Sequence, residues 1–252
     1  MTIQYCSDLH LEFPENKQYI IDNPITPKAD VLMLAGDIVP FNQLDQLDYF
    51  FDDISKKFKE VYWIPGNHEY YHCDTQNRIG TFKEEIRANV HLLNNHFVEI
   101  GNTKVILSTL WSKIPDNKKD IVEQSLNDFH IITHNSKRFK VTDYNLLFEQ
   151  NLKFIQQEVE NNTKEKCLVV THHVPTFTNY PEQYLGSPIN SAFATDLDNF
   201  ITNSTINAWI FGHNHANVAD FKVGKTVLAT NQLGYVRANE HFDFDGAKVI
   251  QF

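Results

Sequence analysis

The sequence is poor in cysteine and has no long apolar run. Cys6, Cys73 and Cys167 are odd in number and far apart, so neither a disulfide framework nor a CxxC zinc site fits them. No stretch approaches the ~20 apolar residues that a membrane-spanning helix needs, and the N-terminus has neither the basic region nor the apolar core of a signal peptide. We therefore expect a cytoplasmic protein that does not enter a membrane.

Positive charge is also scarce. The 252 residues include 22 Lys and Arg against 32 Asp and Glu, which gives a net charge of −10. Nucleic-acid affinity comes mostly from phosphates neutralised by Lys and Arg, so binding of long nucleic acid is not expected. A hydrophobic fraction of 42% is enough for a packed core, and we expect one domain over residues 1–252. Histidine is frequent, with 12 copies.

Five short apolar runs each end in a polar cluster. Such runs, four to six residues long with little alternation, are typical of strands buried on both faces. They occupy residues 3–6, 31–35, 61–64, 167–170 and 208–211. Ligands of α/β proteins gather at the carboxyl ends of such strands. The five clusters are therefore expected to converge on one site.

Helical periodicity occurs between these runs. It predicts helices over residues 44–58 and 147–159, with shorter ones around 82–86 and 197–201. Further strands are expected near 97–100, 104–110, 226–229 and 248–252, the last two as antiparallel neighbours. The polar, Lys-rich segment 112–143 is expected to be an insertion over one edge of the site rather than a separate domain.

The polar clusters carry residues with metal-binding chemistry. In chain order they are Asp8-x-His10, Gly36-Asp37, Gly66-Asn67-His68-Glu69, His172-His173 and Gly212-His213-x-His215. Carboxylate, imidazole and amide oxygen suit divalent ions such as Mn, Fe or Zn. A spacing of two residues puts both side chains on one side of an extended segment. No cysteine takes part, which disfavours a structural zinc site.

These five motifs, in this order, resemble those of the calcineurin-like metallophosphoesterase superfamily. The resemblance implies an α/β fold, a four-layer αββα sandwich of two mixed sheets flanked by helices. It also implies a dinuclear metal site at the strand-end loops, with Asp37 bridging two divalent ions. By position, one ion would be bound by Asp8, His10, Asp37 and His215, and the other by Asp37, Asn67, His172 and His213.

The resemblance implies a phosphoesterase that hydrolyses phosphomono- or phosphodiesters by attack of a metal-bound hydroxide. No local signature of a Ser or Cys nucleophile is present. His68 would protonate the leaving oxygen or stabilise charge on the transferring group. Glu69 would orient His68 or a metal ligand. His173 would either orient the substrate or hydrogen-bond nearby backbone.

A narrower resemblance covers most of the chain. The segments Thr109-Leu110-Trp111, Asn127-Asp128-Phe129 and Asn231-Gln232-Leu233-Gly234-Tyr235 are similar to those of small, standalone bacterial metallophosphoesterases, with Gln232 in place of a usual Pro. Trp111 and Tyr235 would either wall the cleft and stack a base or aromatic leaving group, or pack in the core. Asn127 and Asp128 lie within reach of the site only if the insertion folds over it. The expected substrate is a small phosphate ester, nucleotide-like esters included.

Two other classes of function stay open at this stage. A non-catalytic scaffold, like the retromer subunit of the superfamily, has lost ligand residues, whereas every ligand position is filled here. A nuclease similar to the superfamily's DNA-repair exonucleases would carry a capping domain after the last motif, where this chain predicts strands of the core. No role is assigned to the other histidines, His72, His91, His96, His130, His134 and His241. The sequence has no signal for an oligomeric state.

Overall fold

The computed structural model describes residues 1–251 and contains two six-stranded sheets beside a short hairpin. The strands are β1 (Thr2–Cys6), β2 (Val31–Ala35), β3 (Glu60–Ile64), β4 (Phe82–Arg87), β5 (Val90–Asn94), β6 (His96–Ile100), β7 (Thr103–Ser108), β8 (Thr133–His134), β9 (Lys137–Arg138), β10 (Lys166–Thr171), β11 (Ala208–Phe211), β12 (Phe221–Val223), β13 (Thr226–Thr230) and β14 (Val249–Gln251). The helices are α1 (Pro14–Asp22), α2 (Asp48–Lys57), α3 (Lys119–Ser125), α4 (Asp128–Ile131), α5 (Val141–Glu160) and α6 (Asp198–Asn203).

Both sheets are mixed. The first has the order β14-β1-β2-β3-β5-β4 and the second β12-β13-β11-β10-β7-β6. In each, the inner strands run parallel and the strand at either edge is antiparallel. The carboxyl ends of the inner strands therefore meet at one edge of each sheet, which is where the predicted site residues follow.

The apolar strands are buried on both faces because alternate residues enter two different cores. In β2, Val31, Met33 and Ala35 face the second sheet, whereas Leu32 and Leu34 belong to the core on the outer side. This division explains why the runs are continuously hydrophobic rather than alternating.

Helices cover the outer faces. Helix α2 packs on β3 and β4 of the first sheet, and α5 packs on β7 of the second. The layers are therefore helix, sheet, sheet and helix, as expected from the sequence. None of the helices in the described part of the chain is both long and apolar enough to cross a bilayer.

Two local predictions were wrong. The short helix around residues 82–86 is the strand β4, because Phe82 and Ile86 are spaced by four, which fits a two-residue period as well as a helical turn. Residues 226–229 and 248–252 are not antiparallel neighbours, because their strands lie in different sheets: β13 pairs with β11 and β12, and β14 pairs with β1. Phe252 lies outside the described residues.

The segment 112–143 forms α3, α4 and the β8–β9 hairpin. It has its own apolar anchors, since Val122, Phe129 and Phe139 are fully buried in the outer core. Residues 125–128 line a cleft beside the strand ends. The prediction that residues 1–252 form one domain with this segment as an insertion stays a prediction.

Candidate metal centre and active site

The strand-end loops of both sheets meet at one point. In the first sheet, the loop after β1 is tied to the loop after β2 because the backbone N–H of His10 donates to the carbonyl of Asp37 at 2.9 Å. In the second, the N–H of Gly212 donates to the carbonyl of His172 at 2.9 Å. The two sheets are joined where the N–H of His213 donates to the Asp8 carboxylate at 3.1 Å.

One group of side chains brings together two carboxylates and two imidazoles. Asp8, His10, Asp37 and His215 each offer a ligand atom, and these atoms lie within 4.8 Å of one another. His215 Nε2 is 3.4 Å from Asp8 Oδ1, and His10 Nε2 is 3.8 Å from Asp37 Oδ2. Asp8, His10 and Asp37 are buried. This is the first of the two ligand sets that the sequence predicted.

The far nitrogen of each imidazole in this group is held by a carboxylate. His10 Nδ1 lies 3.2 Å from Glu12 Oε1, and His215 Nδ1 lies 2.7 Å from Glu240 Oε2. An ionised carboxylate only accepts hydrogen bonds, so each ring donates from Nδ1. Nε2 of each ring is directed at the centre of the group, as it is in a histidine that binds a metal while its Nδ1 is hydrogen-bonded to a carboxylate.

A second group lies beside the first and shares Asp37. Ligand atoms of Asp37, His172 and His213 lie within 4.8 Å of one another, with His172 Nε2 3.3 Å from Asp37 Oδ2. Asn67 Oδ1 is 3.3 Å from the same His172 nitrogen. Here the far nitrogens donate to backbone carbonyls, His172 Nδ1 to Ala35 at 2.9 Å and His213 Nε2 to Ala192 at 3.3 Å.

The orientation of the Asn67 amide is fixed by hydrogen bonds to Asp128 and Tyr71. Its Nδ2 donates to Asp128 Oδ1 at 2.9 Å and approaches the Tyr71 hydroxyl at 3.3 Å. Because both donor hydrogens face Asp128 and Tyr71, the carbonyl oxygen faces the second group. Asp128 also accepts a hydrogen bond of 2.8 Å from the Tyr71 hydroxyl.

The facing ring nitrogens fit bound cations. His10 Nε2 and His215 Nε2 are 2.9 Å apart, and His172 Nε2 and His213 Nδ1 are 3.1 Å apart. In each pair, the second nitrogen of either ring is held by a carboxylate or a backbone carbonyl, so both facing nitrogens are placed to bind one ion. The N and O donor set suits a divalent ion of borderline character.

The electrostatics of the site also favour positive charge. Burial lowers the pKa of His172, but the carboxylates of Asp37 and Asp8 and a hydrogen bond to Asp37 together raise that pKa to about 9. The pKa of His215 changes in the same way: burial lowers it, but hydrogen bonds to Asp8 and Glu240 raise it to about 10. The carboxylates thus stabilise a cation at both groups.

Five of the seven predicted ligand residues have a left-handed backbone. Their φ angles are 54° at Asp8, 47° at His10, 54° at Asp37, 78° at His213 and 49° at His215. Such conformations cost free energy in non-glycine residues and cluster at functional sites. They turn successive side chains sharply inward at the ends of β1, β2 and β11.

Glycines let the loops approach this closely. A Cβ on Gly36 would lie 2.5 Å from His172 Nδ1, and one on Gly66 would lie 2.2 Å from Asp37 Oδ1. A Cβ on Gly212 would meet Asp8 Oδ2 at 2.6 Å. These motif glycines are therefore needed for space.

His68 lies at the edge of the metal groups and faces the cleft. Its Nδ1 is 2.8 Å from Glu12 Oε1, its Nε2 is 3.3 Å from the Tyr235 hydroxyl, and its ring stacks on Tyr71 with 4.0 Å between centroids. Burial lowers the pKa of His68, but Asp37 and Glu12 act more strongly and raise it overall. The contacts of Glu12 with His10 and His68 explain why these three residues form a further acid–histidine group.

Glu69 supports the loops rather than His68. Its carboxylate accepts hydrogen bonds from the backbone N–H groups of Asp37 (2.9 Å), Ile38 (2.7 Å) and Gly66 (2.6 Å). Burial and the neighbouring Asp37 raise the pKa of Glu69 to about 8. Glu69 contacts the predicted ligand Asp37 through its backbone N–H, and a role in orienting that ligand stays a prediction.

Trp111 and His173 lie in the core. Trp111 is 2% exposed and packs against Tyr70, Tyr144 and His173, so its interpretation as a cleft wall is corrected to core packing. His173 is fully buried, and within the described part of the chain neither ring nitrogen has a hydrogen-bond partner. Its ring packs on that of His213 with 4.1 Å between centroids, and His173 is not among the residues that line the cleft. The two expected roles of His173 stay predictions. Burial beside His213 lowers its pKa well below the usual value.

The cleft beside the metal groups is lined by three residues whose positions the sequence left open. Tyr235, for which core packing was the competing interpretation, lines it together with Asn127 and Asp128 of the 112–143 segment. Glu12, Glu240 and Tyr71 were missed. Glu12 follows His10 by two residues and extends the Asp8-x-His10 spacing, which is a usable signal. Glu240 lies far from His215 in sequence, and no local pattern marks it.

Comparison with known proteins identifies the family. The sequence model described as calcineurin-like phosphoesterase matches residues 1–217. The chain is 33% identical to uncharacterized protein L509 of Acanthamoeba polyphaga mimivirus, covering 96% of this chain and 94% of that protein.

Two solved structures have a similar fold. The phosphopantetheinyl hydrolase PptH of Mycobacterium tuberculosis has a TM-score of 0.69 at 15% identity, over 94% of this chain and 90% of that one. A dimetal phosphatase from Danio rerio has a TM-score of 0.51 at 12% identity, over 92% and 87%. Since the family match spans most of the chain and includes all five motifs, this protein belongs to the calcineurin-like phosphoesterase family and is a metal-dependent phosphohydrolase.

Proposed function

We propose that this chain hydrolyses small phosphomono- or phosphodiesters at a pair of divalent metal ions. The observation that carries the proposal is the pairing of imidazole nitrogens, 2.9 Å apart in one group and 3.1 Å apart in the other, around a shared Asp37. Manganese, iron and zinc suit this donor set, and availability decides among them.

The proposed ligands follow the two groups. Asp8, His10, Asp37 and His215 would bind one ion, and Asp37, Asn67, His172 and His213 the other. Bound there, two divalent ions polarise a phosphoryl oxygen and activate water near neutral pH.

His68 is proposed as the proton donor to the leaving oxygen. Its ring is buried at the cleft, and Asp37 and Glu12 raise its pKa, so the protonated form is favoured. With Nδ1–H directed to Glu12, the other N–H of the imidazolium points toward the cleft and the Tyr235 hydroxyl. A donor in this position contributes typically 10²–10⁴-fold to the rate.

Glu12 is proposed to position both His10 and His68. One carboxylate oxygen lies 3.2 Å from His10 Nδ1 and 2.8 Å from His68 Nδ1. Burial raises the pKa of Glu12, but the two hydrogen bonds outweigh this effect and lower the pKa to about 2. The carboxylate therefore stays ionised and fixes the orientation of a metal ligand and of the proton donor together.

The proposal is tested by His68→Asn on p-nitrophenyl phosphate and phenyl phosphate, each also as its methyl diester, with Mn²⁺. We expect kcat to fall about 10²-fold or more, and to fall further for phenyl esters, because phenol is the poorer leaving group and depends more on protonation. The matched control is His130→Asn at an exposed helix position, which should leave kcat unchanged.

Two results would contradict the proposal. Equal losses on both leaving groups would show that His68 does not protonate the leaving oxygen. Absence of hydrolysis by the unmodified protein with Mn²⁺, Fe²⁺ and Zn²⁺, together with absence of metal binding, would favour the scaffold interpretation.

A further inference from the structure

The cleft beside the metal groups is aromatic and is lined by neither Lys nor Arg in the described part of the chain. It has a volume of about 340 Å³. Its aromatic side chains are Tyr71, Tyr180, Tyr184, Phe193 and Tyr235. A substrate in this cleft meets ring faces and amides wherever it extends beyond the metal groups.

Apart from the metal groups and His68, the charged side chains that line the cleft in the described part of the chain are carboxylates, those of Glu240 and Asp128. The Glu240 carboxylate accepts hydrogen bonds from His215 Nδ1 and the backbone N–H of Tyr235, both at 2.7 Å. The guanidinium of Arg237 lies 4.8 Å from the ring centroid of Phe13 and 5.7 Å from that of Tyr235, and Arg237 is not among the lining residues.

An anion leaving water for the part of the cleft beyond the metal groups and His68 loses hydration and meets no cationic side chain. Phosphate-binding sites normally offset that loss with Arg, Lys or clustered backbone N–H groups. The places here that favour a phosphate are the two metal groups and the adjacent His68, which together would accommodate one phosphate. Flat uncharged groups, in contrast, gain from the ring faces that remain.

On the basis of the proposed function, we infer that the enzyme selects esters with a single phosphate, namely the one that is hydrolysed. The rest of such an ester is uncharged and flat. Nucleoside monophosphates and aryl phosphates belong to this class. Nucleoside polyphosphates, bisphosphates and esters with a second anion are excluded from it.

Asn127 offers a position from which to test the role of charge. It lines the cleft, is exposed, and makes no side-chain capping hydrogen bond at the start of α4. Asn127→Lys therefore adds a cation without removing a contact of the metal groups. Asn161→Lys is the matched control, because Asn161 is exposed at the end of α5, where Lys is tolerated.

The experiment compares 1-naphthyl phosphate with 4-sulfo-1-naphthyl phosphate, each also as the methyl diester. The sulfonate is a permanent anion that the enzyme cannot remove. It also makes naphthol a better leaving group, which acts against the expected loss, so that a lower kcat/KM reports the cost of the anion in the cleft. We expect the sulfonate to lower kcat/KM by about tenfold or more, in line with an unpaired anion. Asn127→Lys should recover most of this loss, and Asn161→Lys should recover none.

The outcomes separate the two proposals. Equal kcat/KM for the plain and sulfonated esters would overturn the inference while leaving the phosphoesterase activity intact. The inference would also be overturned if Asn127→Lys did not change the loss of kcat/KM caused by the sulfonate, because the shape of the sulfonate rather than its charge would then be responsible. If neither ester is hydrolysed by the unmodified enzyme with any of the three metals, the proposed function fails and the inference fails with it.

Discussion

At the scale of single residues, the orientation of Asn67 depends on Asp128. An amide can present either its oxygen or its nitrogen to a metal, and only the oxygen binds. Asp128 selects the oxygen by accepting from Nδ2 at 2.9 Å. We expect Asp128→Ala to weaken Mn²⁺ binding about 10- to 100-fold, as for other residues that orient ligands. The measurement is the Mn²⁺ dependence of hydrolysis.

Asp116→Ala is the control for this prediction, because Asp116 is an exposed carboxylate of the same segment. It should bind Mn²⁺ as the unmodified protein does. Unchanged Mn²⁺ affinity in Asp128→Ala would show that the amide is oriented without its partner.

The site residues differ in whether they could be predicted from the sequence. Asp8, His10, Asp37, Asn67 and His68 were predicted because each stands in a short motif whose spacing carries chemical meaning. Asp128 was named only as a residue of the insertion that could reach the site, and Glu240 and Tyr71 were missed, because their roles rest on tertiary contacts that leave no periodic pattern. Whether the seven predicted ligands bind metal stays a prediction.

At the scale of elements, Gly36 permits the turn from β2 into the site. It has a φ of +90°, and an added Cβ would lie 2.5 Å from His172 Nδ1 and 2.8 Å from the backbone nitrogen of Gly66. We expect Gly36→Ala to lower the free energy of unfolding by about 1–2 kcal/mol from the backbone conformation and by a further ~1–3 kcal/mol from overpacking. Denaturant unfolding measures the sum.

Gly80→Ala isolates the first contribution. Gly80 has a φ of +70°, and a Cβ added there would have no described atom within 4 Å. This variant should lose only the backbone contribution and keep its activity. Equal losses in the two variants would show that the space beside His172 is not required.

Strands were identified most directly where burial is complete, and the error at β4 arose in a partly buried segment. The continuous apolar runs of β2 and β10 could be identified as strands because both of their faces are buried. Strand β4 alternates between half-buried and exposed positions over most of its length. Its two apolar residues, Phe82 and Ile86, are four apart, so their spacing does not distinguish a strand from a helix.

At the scale of the whole molecule, the proposed ligands come from both sheets. Asp8, Asp37 and Asn67 follow strands of the first sheet, and His172 and His213 follow strands of the second. Metal binding should therefore stabilise the packing of one sheet on the other. At a free Mn²⁺ concentration of about 100 times Kd, we expect ~2.7 kcal/mol of added stability.

For a chain of this size, that gain corresponds to a rise in Tm of about 5–10 °C, measured by thermal unfolding with Mn²⁺ and with EDTA. Asp37→Asn is the comparison variant, because it removes the carboxylate shared by both groups. Its Tm should respond little to Mn²⁺. A Tm of the unmodified protein that does not change with Mn²⁺ would contradict metal binding at the junction.

The hydrogen bond from His215 to Glu240 has a consequence for biosynthesis. The ribosome delivers Asp8 first and Glu240 much later, and β14, the neighbour of β1, later still. A nascent chain that has exposed all seven ligand side chains still lacks the carboxylate that sets the protonation of His215. The hydrogen-bonded surroundings of His215 are therefore complete only after residue 240 has been synthesised.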